Sequence, residues 1–296
     1  MDVVDKLLEG SVDLHCHSGP SALPRRFDHV EAAQSAASLR MRAIVVKCHH
    51  HCTATDLISM KRELAHVTTE VFGGVALNSW AGGLNPYAVD LCLGMGGRIV
   101  WFPTISAGAH IAHAARHEET QKHFAAGVPL MRPSEVDVFG ADGDLRPEVY
   151  EILRLAKRAN AIVSAGHLAP DRALALMDAA RSEGLARLIV SHPEYIMEAS
   201  EAQMLELADS GVVIEHSLCM YYGEHADFPF GDLLHWINLI GPERTALGSD
   251  LGQVNEPLPI EAYKGICGQL LDAGVTEREL ALMVKTNPSR LLGLDG

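Results

Sequence analysis

No basic excess, no long apolar run and no regular cysteine spacing mark this sequence, and each absence removes a class of function. The formal net charge is −14 over 296 residues, a field that would repel the phosphates of a nucleic acid. No stretch reaches the roughly 20 consecutive apolar residues of a membrane span. Met1-Asp2-Val3-Val4-Asp5-Lys6 has no basic region leading into an apolar core, so neither a secretory signal nor a membrane partner is expected. The six cysteines, Cys16, Cys48, Cys52, Cys92, Cys219 and Cys267, lack the rhythm of a disulfide framework or zinc ribbon and read as reduced thiols of a cytoplasmic protein. Gly94-Met95-Gly96-Gly97-Arg98 has the wrong spacing for a dinucleotide loop and precedes a strand instead of following one. Neither a Gly-x-Ser-x-Gly elbow nor a phosphate-cradling Gly-Lys-Ser/Thr occurs. Nothing linker-like divides the chain, and 48% hydrophobic residues supply ample core, so residues 1–296 are expected to form one domain.

What is present is an alternation of short apolar runs with helical patterns. Strands are expected near 12–15, 43–47, 71–77, 98–103, 161–166, 187–191, 211–215 and 244–249. Helices are expected near 28–40, 54–66, 86–94, 147–159, 170–183, 200–210, 228–240 and 257–273, several opening at Asp, Pro or Ser. Eight such units make a parallel sheet with right-handed crossovers, and the length suits an α/β fold of the (β/α)8 TIM-barrel kind, which needs about 250 residues. Residues 104–146, after the fourth strand, exceed what a crossover requires. They carry a histidine-rich helix from Ile105 to His123 and a turn at Gly140-Ala141-Asp142-Gly143-Asp144, and are expected to form a lid or substrate wall. A last helix from Thr276 to Leu294 should break at Asn287-Pro288.

Polar residues recur at the ends of these runs. Val12-Asp13-Leu14 leads into His15-Cys16-His17, and alternation along a strand points both imidazoles the same way. His167, His192, His216 and Asp250 each follow a later apolar run. In a parallel barrel all such carboxyl ends meet on one face, where the active site lies. Imidazoles aimed together are ligands for a transition metal.

In this order Asp13-Leu14-His15-Cys16-His17, His167, His192, Gly248-Ser249-Asp250 and the tail Asn287-Pro288-Ser289-Arg290-Leu291-Leu292-Gly293 resemble the amidohydrolase superfamily of metal-dependent hydrolases. Lys47-Cys48-His49 and the glycine-rich 77–86 segment are similar to a poorly characterised branch of it. The resemblance implies a divalent metal, Zn²⁺ first and Mn²⁺ or Fe²⁺ as alternatives, in one or two copies. His15, His17, His167, His192 and Asp250 would hold it, with Asp250 as general base and His192 as a second ligand or proton-transferring group. Members with two metals place a carboxylated lysine or a glutamate after the fourth strand, where this chain has Trp101-Phe102-Pro103-Thr104. Lys47, at the catalytic end of the second strand, is the substitute, either carboxylated as a bridge or as an ammonium holding a substrate carboxylate or oxyanion.

For the substrate, His49, Asn78, His110, His216 and Arg25 are the candidates. Glu215 and His216 fall on opposite faces of the seventh strand, and His216 is expected to point inward. Arg25 suits an anion clamp, although a solvated loop arginine is the plainer expectation. His110, His113 and His117 share a helical face, which suggests a second metal clip less readily than one histidine, His110, leaning over the pocket. Cys48 and Cys52 flanking three histidines suggest a soft-metal patch less readily than a loop coincidence.

The expected reaction is cleavage of an amide, lactone, imide or ester-like bond of a small molecule by a metal-activated water, with a second copy of the chain, in a homo-oligomer, as the candidate protein partner. Two alternatives carry other products: a mononuclear decarboxylase or hydratase of the same superfamily, and a phosphoesterase of the PHP family. The latter also opens with Asp-x-His-x-His-Ser but has a distorted seven-stranded barrel.

Overall fold

The computed structural model describes residues 3–117 and 128–294. Its strands are β1 (Val12–Cys16), β2 (Ala43–Val46), β3 (Glu70–Phe72), β4 (Gly74–Ala76), β5 (Ile99–Trp101), β6 (Ile162–Ser164), β7 (Leu188–Ser191), β8 (Val213–Ser217) and β9 (Thr245–Gly248). All pair in parallel, in the orders β1-β2-β3 and β4 to β9. The helices are α1 (Val3–Leu8), α2 (His29–Ser38), α3 (Thr53–Ser59), α4 (Lys61–Leu64), α5 (Pro86–Gly94), α6 (Gly108–Arg116), α7 (Pro147–Arg158), α8 (Pro170–Ser182), α9 (Glu201–Asp209), α10 (Phe230–Ile240), α11 (Pro259–Asp272), α12 (Glu277–Ala281) and α13 (Asn287–Leu292). This is the (β/α)8 TIM barrel, and the expected single third strand is β3 and β4 in succession. They separate at Gly73 because the Thr53 hydroxyl occupies the space beside it: a Cβ on Gly73 would lie 2.7 Å from Thr53 Oγ1, and that oxygen accepts from Gly74 N.

The ring closes between β9 and β1 just beyond the regular ladder. His17 N donates to Leu251 O at 2.8 Å, Ser249 Oγ donates to His15 O, and Asp13 Oδ1 accepts from Ser249 N. Eight barrel strands, one of them interrupted, depart from the seven of the PHP alternative.

Helix starts follow the sequence signals. Asp28 accepts from Val30 N and Glu31 N while Glu31 reaches back to Asp28 N, a capping box that satisfies donors otherwise orphaned at the helix end. Pro147, Pro170 and Pro259 open α7, α8 and α11, where a missing N–H costs nothing. The final helix changes register through a π-turn at Leu282–Thr286, and α13 begins at the expected break. There Asn287 Nδ2 donates to Pro242 O and Thr245 O, tying the tail to the base of β9.

Three apolar clusters hold the layers together. Val12, Leu14, Val45, Trp101, Ile162 and Ala246 fill the barrel interior, and two further clusters lie between strands and helices. Because strands buried on both faces carry apolar residues at every position, inside and outside are told apart only by these partners. Leu14 packs inside, yet Cys16 packs outside with Ile44 and Val46, and the β1–β2 register shifts between Asp13 and Cys16. This irregularity brings His15 and His17 to the interior just above Leu14. Among the described residues no helix is long and apolar enough to cross a membrane.

In the 104–146 stretch, α6 is shorter than the helix expected from Ile105, and His123 lies outside the described residues. Its later part folds back on the barrel: Val136 N donates to Ser106 O, Ser79 Oγ donates to Ser134 O, and Phe139 bridges Leu145 around the expected turn.

Candidate metal centre

Asp250 Oδ1 lies 3.1 Å from His15 Nε2 and 2.9 Å from His17 Nε2. The far nitrogen of each ring has an acceptor of its own: His15 Nδ1 is 2.7 Å from Glu215 Oε1, and His17 Nδ1 is 3.1 Å from the Lys47 carbonyl oxygen. Those acceptors place the ring protons on Nδ1, so both Nε2 lone pairs face the carboxylate. Three acceptors within hydrogen-bonding distance repel one another unless a proton or a cation sits among them, and the Lys47 ammonium, 3.0 Å from His15 Nε2, meets that need only from one side. Their ligand atoms lie within 4.8 Å of one another, and two imidazoles with a carboxylate are the donors that Zn²⁺ and its neighbours prefer. The residues therefore fit a divalent metal.

Without an ion, a proton on His15 takes its place, with Asp250 as the counter-charge. Burial works against a charged His15, yet Asp250 outweighs it and holds the imidazole up at about 9. Burial, followed by the Arg25 guanidinium, holds His17 down at about 3. Burial resists charge on Asp250 as well, but the two imidazoles keep the carboxyl well below its usual range.

His167 and His192 stand beside this cluster and outside it. His192 Nε2 is 3.7 Å from Asp250 Oδ2, and the rings of His167 and His192 have centroids 4.9 Å apart. His167 Nδ1 meets His110 Nδ1 at 2.8 Å. His167 Nε2 and His192 Nδ1 are buried without a hydrogen-bond partner, an arrangement that costs about 1–3 kcal/mol per group unless something binds there. The five expected ligands are thus split into three that converge and a neighbouring pair.

The backbone is shaped for this purpose. His192 and Asp250 adopt φ of +37° and +52°, a left-handed conformation that is strained for non-glycine residues and persists where surrounding structure enforces it. The enforcement is visible: His192 N donates to Glu215 O, and Asp250 N donates to His15 O. Gly252 passes so close to His17 that a Cβ would overlap the His17 carbonyl.

Lys47 is buried, with Nζ 3.0 Å from His15 Nε2 and 5.4 Å from the centroid of the Trp101 ring. Burial lowers its pKa to about 8. Together with Arg25, His49, His110 and Asp250 it lines a cavity of about 120 Å³. Arg25 Nη2 is 3.3 Å from His17 Nδ1, and its Nε is buried without a partner, so Arg25 belongs to the pocket wall and not to a solvated loop. His49 Nδ1 meets Thr104 Oγ1 at 3.0 Å.

Two expectations fail. Asn78 does not line the cavity: its amide donates to Thr104 Oγ1 and His49 O, and its carbonyl accepts from Thr104 N and Ser106 N, which uses it up as a loop organiser. His216 points away from the cavity, its Nδ1 2.8 Å from Glu194 Oε1, and Tyr221 Oη donates to the same oxygen. Its neighbour Glu215 takes the inward place and orients His15. Gly248, across on β9, makes room for that carboxylate, since a Cβ there would lie 2.7 Å from Glu215 Cδ. Gly248→Ala should therefore push Glu215 off His15 and weaken metal binding by about 10- to 100-fold. A chelator-competition titration checks this, and an unchanged affinity would show that Glu215 does not position the ligand.

The barrel and this site define the class: a (β/α)8 barrel with a candidate metal centre at the carboxyl ends of its strands. Within that class the chain belongs to a family of unknown function (DUF6282), whose profile matches residues 10–215. That span includes His15, His17, Lys47, His167, His192 and Glu215 but stops before Asp250. No curated protein matches the sequence. Among solved structures it is similar to an amidohydrolase from Pseudomonas aeruginosa (13% identity, 98% of this chain and 98% of that one, TM-score 0.60). It is also similar to an organophosphorus hydrolase from Deinococcus radiodurans (14%, 99% and 94%, 0.61) and a phosphotriesterase homology protein from Escherichia coli (12%, 96% and 99%, 0.56). At these identities the likeness establishes the fold.

Proposed function

We propose that this protein is a metal-dependent hydrolase that cleaves an amide, lactone, imide or ester-like bond of a small molecule bearing an anionic group. The observation that carries the reading is the convergence of His15 Nε2, His17 Nε2 and Asp250 Oδ1 at the floor of a cavity. When bound there, a divalent cation, Zn²⁺ foremost, supplies Lewis acidity and lowers the pKa of a water toward 7. The chain's own residues do the rest. Asp250 Oδ2 does not face the two ligand imidazoles and takes the proton of the attacking water, with His192 Nε2 3.7 Å away to carry it toward the leaving group. Arg25 and Lys47, the cations of the cavity wall, hold the anionic part of the substrate. The 104–146 stretch contributes His110 as one wall, so the barrel and its insertion act as a single catalytic unit.

A second reading keeps the metal and changes the chemistry. β5 ends in Trp101-Phe102, without a carboxylate or lysine to bridge two metals, and a mononuclear site also suits a decarboxylase or hydratase. The deciding experiment strips the protein with chelator, restores Zn²⁺, Mn²⁺ or Fe²⁺, and follows products from lactones, cyclic imides and N-acyl compounds with and without a carboxylate. Metal-dependent gain of one water with cleavage is the expected result. Release of carbon dioxide, or water addition without cleavage, would replace hydrolysis by the second reading.

A further inference from the structure

Beyond the pocket floor, α6 carries a second set of donor groups. His113 lies in its last turn and His117 is the residue that ends it, with ring centroids 4.5 Å apart. The segment after β7 delivers Glu198 to the same place: its Oε1 lies 3.0 Å from His113 Nδ1, and ligand atoms of all three residues lie within 4.8 Å of one another. Glu198 is held at φ +50°, a conformation that a glutamate adopts at some cost. Arg116 Nη2 donates to Glu198 Oε1 at 2.6 Å, which orients the carboxylate, and among the described residues no hydrogen bond is made by Oε2.

We propose that His113, His117 and Glu198 form a second metal site, separate from the centre at Asp250, for a divalent transition metal of the zinc type. Two imidazoles and one carboxylate favour Zn²⁺, Ni²⁺ or Cu²⁺ over Mg²⁺ and Ca²⁺, which prefer oxygen. His113 is buried while His117 and Glu198 are exposed, so the ion reaches the site from solvent and completes its shell with water. Its position gives it a consequence. α6 belongs to the insertion, Glu198 belongs to the segment that begins at His192, and His110, one turn before His113, touches His167. A metal at this site cross-links the insertion to the rim of the barrel and fixes that wall of the pocket.

The test counts Zn²⁺ by equilibrium dialysis in metal-stripped protein. The double variant His15→Ala/His17→Ala, which lacks the first centre, is expected to retain one equivalent and to gain thermal stability when Zn²⁺ is added. Adding His117→Ala to that variant should remove both the equivalent and the stabilisation, and adding Glu198→Gln instead should weaken binding. Because His117 caps an exposed helix end, its loss does not threaten the fold, and a circular dichroism melt without metal verifies this. If the double variant binds no Zn²⁺, or if it binds equally well after His117→Ala, the second site is refuted and His113 is only an ion-pair partner of Glu198. The centre at Asp250 is tested separately by the same counts: it is refuted if the wild type holds no more Zn²⁺ than the double variant.

Discussion

Replacing His15 and His17 together by alanine is expected to empty the metal centre and to lower turnover by at least about 10³-fold, the scale on which loss of a metal-activated nucleophile acts. Two of the three converging ligands disappear, and Asp250 alone cannot hold a divalent ion in competition with water. The variant also leaves Asp250 half-buried without its imidazole partners, so some loss of stability is expected alongside the loss of metal. Asp250→Asn separates the two effects. It keeps the volume, one carbonyl oxygen and both imidazoles, removes the charge that the ion requires, and should abolish metal binding and turnover with a smaller fall in the thermal melt than the double variant shows. Metal analysis of both purified variants checks the prediction. Metal content equal to that of the wild type in either variant would show that the ion sits elsewhere.

Much of this centre was legible because its residues stand at strand ends, where short apolar runs stop at a polar residue. His15, His17, His167, His192 and Asp250 could be read that way, and so could Lys47, two residues beyond Val45 on the inward face of β2. The choice between Glu215 and His216 could not. β8 is buried on both sides, so apolar flanks do not distinguish its faces. The available signal was its own alternation: Val213 packs in the barrel interior, and Glu215, two residues on, shares that face. Gly248 opposite was a second clue that only spatial neighbourhood makes readable. Asn78 looked like a pocket residue for the same reason as the true ones, but its amide meets loop backbone brought together over long sequence separations. The gap at Gly73 and the irregularity after Leu14 depend on contacts with Thr53 and with the Ser249–Asp250 backbone, which no local pattern announces. Arg25 enters the wall because the loop after β1 folds against 251–253, with Arg26 N donating to Gly252 O.

Lys47→Met is expected to leave the Asp250 centre with at least as much metal as the parent while lowering kcat/KM for an anionic substrate by about 10²- to 10³-fold, the range seen when one preorganised charge donor is removed from a reacting site. The reasoning starts from where the ammonium lies. Nζ stands over the Trp101 ring at 5.4 Å from its centroid, and the negative face of an indole attracts a cation; a carboxylated lysine would place an anion there and be repelled. The same Nζ is 3.0 Å from His15 Nε2, the lone pair a metal needs, so ammonium and metal compete for it and removing the charge cannot weaken the ion. Methionine keeps the unbranched stem against Trp101 and limits the packing loss. Substrates without an anionic group should lose much less, which separates charge recognition from a general defect. Loss of a metal equivalent in Lys47→Met would instead make Lys47 a bridging ligand, and would restore to this chain the second metal that Trp101-Phe102 leaves without a bridge.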